Sequence, residues 1–225
     1  MKFPRILAAP LVLAAALLSS ACRTFGPFPV NATPQNLRIP AGQKLPINTA
    51  LVIPSPMNFQ MTFDLQNVKK DGGKTRDILG TWAYAEPVYP VSRELSKCAL
   101  DNFQQTFANV TLLSYIPYPT AYGLTVSVRI TQTQVSQILY PSSTKVKLTV
   151  ILNWQVSVLN KQTVEIFSDH GVAQSPEEDA SGLSEKFDDK QIGKLTADAL
   201  SLLTKDIALK VFLAPQVRAL VGKAR

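Results

Sequence analysis

The sequence predicts an α+β fold, an antiparallel sheet of four to six strands with two helices packed on one face. Three runs of residues predict it. Leu124, Val126, Val128 and Ile130, and then Val146, Leu148, Val150, Leu152, Trp154, Val156 and Val158, are apolar at even positions, the period of strands with one buried face. Val91, Leu95, Ala99, Phe103 and Phe107 recur every four residues. Ile192, Leu195, Ala199, Leu202, Leu203, Ile207 and Val211 form a second, longer helical stripe.

The domain is expected over residues 49–214. It opens with Leu51-Val52-Ile53, after which Met57, Phe59, Met61, Phe63 and Leu65 alternate with polar residues, as in a half-buried strand. Lys69 to Lys74 form a basic, Gly-containing turn, and Leu79 to Ala85 supply a short return strand through Trp82 and Tyr84. Pro90 suits a first helical turn, where its missing N–H costs nothing, so the first helix is placed from there to about Asn109. A strand at Val110–Ile116 follows, then a hairpin centred near Pro141. The apolar alternation stops after Ile130, and Thr131-Gln132-Thr133-Gln134 make both faces polar there. Thr163 to Ala173 add another antiparallel strand through Val164, Ile166 and Phe167. Asp188 stands three residues before Gln191, a capping-box-like start to a helix that Pro215 stops. Residues 215–225, with Arg218, Lys223 and Arg225, form a basic tail.

The N-terminus carries an address. Lys2 and Arg5, then the uncharged run Ile6 to Leu18, then Ser19-Ser20-Ala21 before Cys22, have the layout of an export signal over residues 1–21. The apolar run is too short to span a bilayer, which takes roughly twenty residues. Cys22, directly after the small residues, reads as the lipid attachment site of a bacterial lipoprotein. Ser19 stands where such sites usually carry Leu, and Ser19-Ser20-Ala21 also suit ordinary signal peptidase. The alternative is therefore a soluble secreted protein with Cys22 free or paired with Cys98. Arg23, rather than Asp, after the cysteine makes the periplasm-facing outer membrane the expected location. Residues 22–48 hold Pro27, Pro29, Pro34, Pro40 and Pro46 and read as a tether. At ~3.1 Å per residue it reaches up to roughly 80 Å, unless Phe25, Phe28, Val30, Leu37 and Ile39 draw part of it onto the domain or a neighbouring subunit.

The full chain has 23 basic and 16 acidic side chains, a charge of +7; without Lys2 and Arg5 the balance is 21 against 16, or +5. This mild excess is not gathered into an aromatic-interleaved stripe, which excludes nucleic acid as a partner. It suits anionic headgroups, lipopolysaccharide phosphates, acidic glycans or plain solubility. No phosphate loop, nucleophile elbow or metal-spaced Cys/His set occurs, so a non-enzymatic protein without cofactor or metal is expected. Cys98 falls beside the first helical stripe and reads as a small core residue, far in sequence from the lone histidine, His170. Glu177-Glu178-Asp179 and Asp188-Asp189 read as solvated acids, since neither has calcium-loop spacing. Two binding candidates remain. Ile138, Leu139 and Tyr140 put large apolar residues at the hairpin tip, for docking a partner or another subunit. Lys69, Lys70 and Lys74, with Trp82 and Tyr84, are candidates for contact with lipid A or an acidic glycan.

Cys22 and the order strand, helix, strand, long hairpin with a following strand, and C-terminal helix resemble the small outer-membrane lipoproteins of lipopolysaccharide assembly, Pel polysaccharide export and envelope ABC-transport auxiliaries. The resemblance covers residues 50 to 213 and carries no functional residue but Cys22. It implies a scaffold or accessory subunit of an envelope machine, held to the outer membrane by its lipid and bound to an envelope protein or to copies of itself. A lipid- or glycan-binding periplasmic module is the second reading. An all-β secretion-system lipoprotein is the third, which the long C-terminal helix argues against.

Overall fold

In the computed structural model the described residues are 29–54, 59–60, 62–64, 88–89, 91–117, 121–139, 146–179 and 189–222. The class is α+β. Strand β1 (Leu45–Val52) is followed by three short strands, β2 (Phe59–Gln60), β3 (Thr62–Asp64) and β4 (Val88–Tyr89). Helix α1 (Val91–Thr106) leads into β5 (Phe107–Leu113), β6 (Leu124–Leu139), β7 (Val146–Asn160), β8 (Glu165–Gln174) and β9 (Glu178–Asp179). Helices α2 (Asp189–Leu213) and α3 (Pro215–Gly222) close the chain.

The main sheet has the order β5-β1-β6-β7-β8, with β3 on β6 and β9 on β7. It is mixed, not antiparallel throughout. β1 lies parallel to both β5 and β6, whereas β6-β7 and β7-β8 are antiparallel. The reason is the crossover through α1, which returns the chain to the end where β1 began, so that β5 must run beside β1 in the same direction. β1 starts at Leu45, inside the stretch expected to be tether, and the strand expected at Val110–Ile116 is Phe107–Leu113, with α1 ending at Thr106.

The even positions behave as their pattern requires. Leu124, Val126 and Val128 of β6 and Leu148, Val150, Leu152, Trp154, Val156 and Val158 of β7 are all buried against the helices. Beyond Ile130 the phase changes. Ile130 pairs with Trp154 but Gln132 pairs with Asn153, so one extra residue is inserted at Thr131 and every later side chain of β6 swaps faces. Thr133 and Val135 thereby join the buried set, where the sequence pattern had both faces polar. The opposite face is not uniformly wet either, for Ala50, Val52, Thr125, Ser127 and Thr149 are buried while Arg129 and Gln155 are exposed.

Helices α1 and α2 lie side by side and parallel. Asn102 of α1 meets Thr204 of α2 at 2.9 Å, and nearer both N-termini the same extended segment touches Glu94 and Gly193. That segment, residues 29–40, is a strap over the two helices, not a free tether. Val30 and Ala32 are buried in the core; the Ala32 N–H donates to Glu94 Oε2 (3.2 Å) and the Leu37 N–H to Gln105 Oε1 (2.8 Å). The Gln35 carbonyl accepts from Gln105 Nε2 (3.2 Å) and, at 2.9 Å, from the Asn102 amide, whose oxygen faces Thr204 Oγ1 (2.9 Å) and the Lys205 N–H (3.1 Å). Extended backbone of this kind needs partners for its amides, and the helix side chains provide them. Arg38 turns the strap with a left-handed φ of 55°, its N–H bonded to Asn36 Oδ1 at 2.8 Å.

Pro215 ends α2 and opens α3, so the expected basic tail is helical through Gly222. Val217 is buried, and the Ala214 carbonyl accepts from the N–H groups of Val217 (3.1 Å) and Arg218 (3.0 Å).

The directions fix two ends of the molecule. β1, β5 and β6 point one way and α1 and α2 the other, since α1 runs back before β5 and Lys194 near the start of α2 pairs with Glu178 of β9, beside Lys147-Leu148. Lys210, near the end of α2, reaches Asp169 and Trp154 farther along β8 and β7. β1 and β5 stop level with Ser127, twelve residues before β6 ends at Leu139. One end therefore gathers the starts of α1 and α2 and the far end of the β6-β7 pair. The other holds the β7-β8 turn and the end of α2.

Candidate functional site

Among the described residues, two features stand out as surfaces for interaction. The first is β8 and the sheet face beside it. β8 pairs only with β7, so its outer row of N–H and C=O groups has no strand partner among the described residues. Such an edge is a template for another strand. Val164 (57% exposed) and Val172 (62%) flank its two ends. Its register is held by the turn before it, where Asn160 Oδ1 accepts from the N–H groups of Gln162 (2.9 Å) and Val164 (3.0 Å) and Thr163 takes a φ of 61°.

Next to this edge the bulge in β6 opens a shallow cleft of about 420 Å³, lined by Thr131, Gln132, Asn153, Gln155, His170 and Val172, with Trp154 and Gly171 in its floor. Asn153 Nδ2 donates to Gln132 Oε1 (3.1 Å) and Thr131 Oγ1 to the Asn153 carbonyl (3.3 Å), so the bulged residues are tied across to β7. The floor is rigid. Trp154 pairs with Gly171, and a Cβ on Gly171 would stand 2.6 Å from Trp154 Cζ2, so the indole occupies the space that any side chain there would take. On the helix side Lys210 Nζ lies 4.7 Å from the indole centroid and 2.9 Å from Asp169 Oδ2, with Asp206 at 3.5 Å. The Lys210 hydrogen bond holds the Asp169 carboxyl below its ordinary range, and Asp169 in turn raises Lys210. The Trp154 N–H is buried with no acceptor among the described residues.

The second feature is apolar. Past the end of β5, Tyr115 is 69% exposed and Ile116 42% exposed.

Cys98 is fully buried in α1, and burial first, then the charge of Glu94, pushes its thiol up to about 11. His170 pairs with Gln155 on the sheet face away from the helices, so thiol and imidazole lie on opposite sides of the sheet. The two residues cannot act as a nucleophile and its base.

Of the sites read from the sequence, Cys22, Lys69, Lys70, Lys74, Trp82, Tyr84 and Tyr140 lie outside the described residues. The backbone of Ile138 and Leu139 belongs to β6, with Leu139 opposite Val146, and their side chains are not among those described. The cleft and the β8 edge escaped sequence reading. The one signal for the bulge was the loss of alternation at Thr131–Gln134, and Gly171 within an otherwise strand-like run was the signal for close packing beneath it.

No family model matches the chain, and no curated protein matches it in sequence. Solved structures resemble it. A Xanthomonas campestris protein of the DUF330 family matches with TM-score 0.42 at 12% identity, covering 88% of this chain and 95% of its own. A Helicobacter pylori protein described as a neuraminyllactose-binding hemagglutinin homolog has TM-score 0.46 at 14% identity, covering 85% and 98%. A minor lipoprotein of Acinetobacter baumannii has TM-score 0.40 at 11% identity, covering 73% and 90%. At these identities and TM-scores, the functional argument rests on the chain's own residues.

Proposed function

We propose that this chain is a lipid-anchored, non-enzymatic protein of the bacterial envelope, placed at the outer membrane, which serves as a scaffold or accessory subunit by docking an envelope protein along β8. The observation that carries the reading is the ten-residue edge of β8, left without a strand partner among the described residues and flanked by exposed Val164 and Val172. An extended partner segment would take its main-chain hydrogen bonds from that edge and its side-chain discrimination from the adjoining cleft. Cys22 after a short apolar run supports the anchor. The separation of Cys98 from His170 supports a binding role over thiol chemistry.

The test has two arms. Intact mass and membrane fractionation of the wild type and Cys22→Ala in a Gram-negative host should show an acyl mass shift and membrane sedimentation, both lost in the variant. A photo-crosslinking residue at Val172 should then yield one defined adduct of another envelope protein, absent when the crosslinker sits at exposed Ala108 of β5, on the opposite edge of the sheet. A soluble product cut before Cys22 would defeat the anchor; adducts equal at both positions would defeat the β8 edge. An adduct of the chain with itself would identify the partner as a second copy.

A further inference from the structure

We infer that Asp169 guards the β8 edge: its carboxylate caps the outward N–H of His170 and closes the middle of the strand until a partner displaces it. This rests on the reading of β8 as the docking edge. The ladder with β7 fixes which groups of β8 are left to pair. The Ser175 N–H donates to the Val150 carbonyl at 2.9 Å, and farther along Leu152 pairs with Ala173 and Trp154 with Gly171. Hydrogen-bonded pairs of an antiparallel ladder recur at every second residue, so Gly171, Ala173 and Ser175 direct their N–H and C=O groups to β7. Ser168, His170, Val172 and Gln174 direct theirs outward, as the donors and acceptors an added strand would use.

At His170 that place is taken. Its N–H donates to Asp169 Oδ1 at 2.8 Å, while Asp169 Oδ2 accepts from Lys210 Nζ of α2 at 2.9 Å. Lys210 is itself fixed, 4.7 Å from the Trp154 ring centroid and 3.5 Å from Asp206 Oδ2. One carboxylate thus reaches from the helix to the edge, with each oxygen on a different donor. A strand entering beside β8 must offer its own carbonyl to the His170 N–H, and the carboxylate already occupies that position. The bond it makes there is charge-assisted, and so stronger than the neutral backbone bond that would replace it. Charged side chains that blunt an edge are a general protection against indiscriminate strand pairing. His170 lies at the middle of the ten-residue β8, where a cap interrupts the longest run of pairing.

The test uses the full chain, without a histidine tag, extracted into detergent micelles after growth on isotope-labelled histidine. His170 is the one histidine of the chain, so its amide gives a single resonance whose exchange with water is read directly. Exchange should be about tenfold faster in Asp169→Ala than in the wild type. Asp169→Asn, which keeps an acceptor oxygen but loses the charge that Lys210 holds, should lie between them. An exposed ion pair adds little to folding, so both variants fold, as circular dichroism verifies. Unchanged exchange in Asp169→Ala overturns the cap, and so does Asp169→Asn exchanging as fast as Asp169→Ala, which would trace the effect to the ion pair. In cells, the photo-crosslinker at Val172 should give at least about threefold more adduct in the Asp169→Ala background. Equal or lower yields, in a chain whose wild type forms the adduct at Val172 and not at Ala108, overturn the guard and leave the β8 reading standing. Wild-type adducts equal at Val172 and Ala108 defeat that reading, and the inference with it.

Discussion

Gly193 and Pro29 touch where the strap crosses α2, so closely that a Cβ on Gly193 would stand 2.4 Å from the Pro29 carbonyl oxygen. In an ordinary helix interior Gly→Ala stabilises by about 1 kcal/mol. Here the colliding atom is backbone, so Gly193→Ala should instead cost roughly 1–3 kcal/mol as the strap is forced outward. Urea denaturation measures it, with limited proteolysis at residues 29–40 as a second readout. A stabilised Gly193→Ala would show that the strap yields without loss.

Asn102 joins three elements through one buried amide. It meets the Gln35 carbonyl of the strap (2.9 Å) and, on α2, Thr204 Oγ1 (2.9 Å) and the Lys205 N–H (3.1 Å). Asn102→Ala should cost about 1–3 kcal/mol, because the Gln35 carbonyl loses its best donor in a partly buried position. Asn102→Asp, which sets an acceptor oxygen in place of the amide N–H against that carbonyl, should be worse at neutral pH and recover in part when acid protonates it. Equal stability of the two variants across pH would contradict this arrangement.

Gly171→Ala places a methyl within 2.6 Å of the Trp154 ring. The expected loss is about 1–3 kcal/mol, as for other overpacked cores. Trp154→Phe opens space at the same point, so Gly171→Ala should cost distinctly less in that background. A double-mutant cycle with no coupling between the two positions would refute the contact.

Cys98 is buried with its thiol raised to about 11 from an ordinary 9.0. In the native protein at pH 8 it should resist iodoacetamide, and should alkylate fully in urea, as intact mass will report. The folded state keeps its proton to higher pH than the unfolded state does. This contribution to stability is present below about pH 9 and is lost as pH rises toward 11, where the folded thiol also ionises. Cys98→Ala should flatten that part of the pH profile, and an unchanged profile would assign the alkaline loss to other groups.

Much of the architecture was legible in the chain, and for a definite reason. A strand with one face in the core must alternate and a helix must repeat at near four residues, so the β6-β7 pair and helices α1 and α2 are written in their apolar positions. The proposed lipid signal at Cys22 is likewise a local pattern, since signal recognition reads a linear stretch. The strap was legible only as an alternative, through the apolar Val30, Leu37 and Ile39 that pack on the core, because its prolines signal extended chain equally well in solvent and against a protein surface; Glu94, Asn102, Gln105 and Gly193, distant in sequence, decide it.

What the sequence alone determined is the α+β class, the helices and the long antiparallel pair, all carried by patterns within a few neighbouring residues. What only the tertiary structure decided is the parallel placement of β1 between β5 and β6, the change of face at Thr131, the Trp154–Gly171 packing, and the strap that draws Pro29 to the starts of α1 and α2. These depend on which surfaces meet across intervening chain, more than sixty residues of it for the strap, and local periodicity carries no term for that.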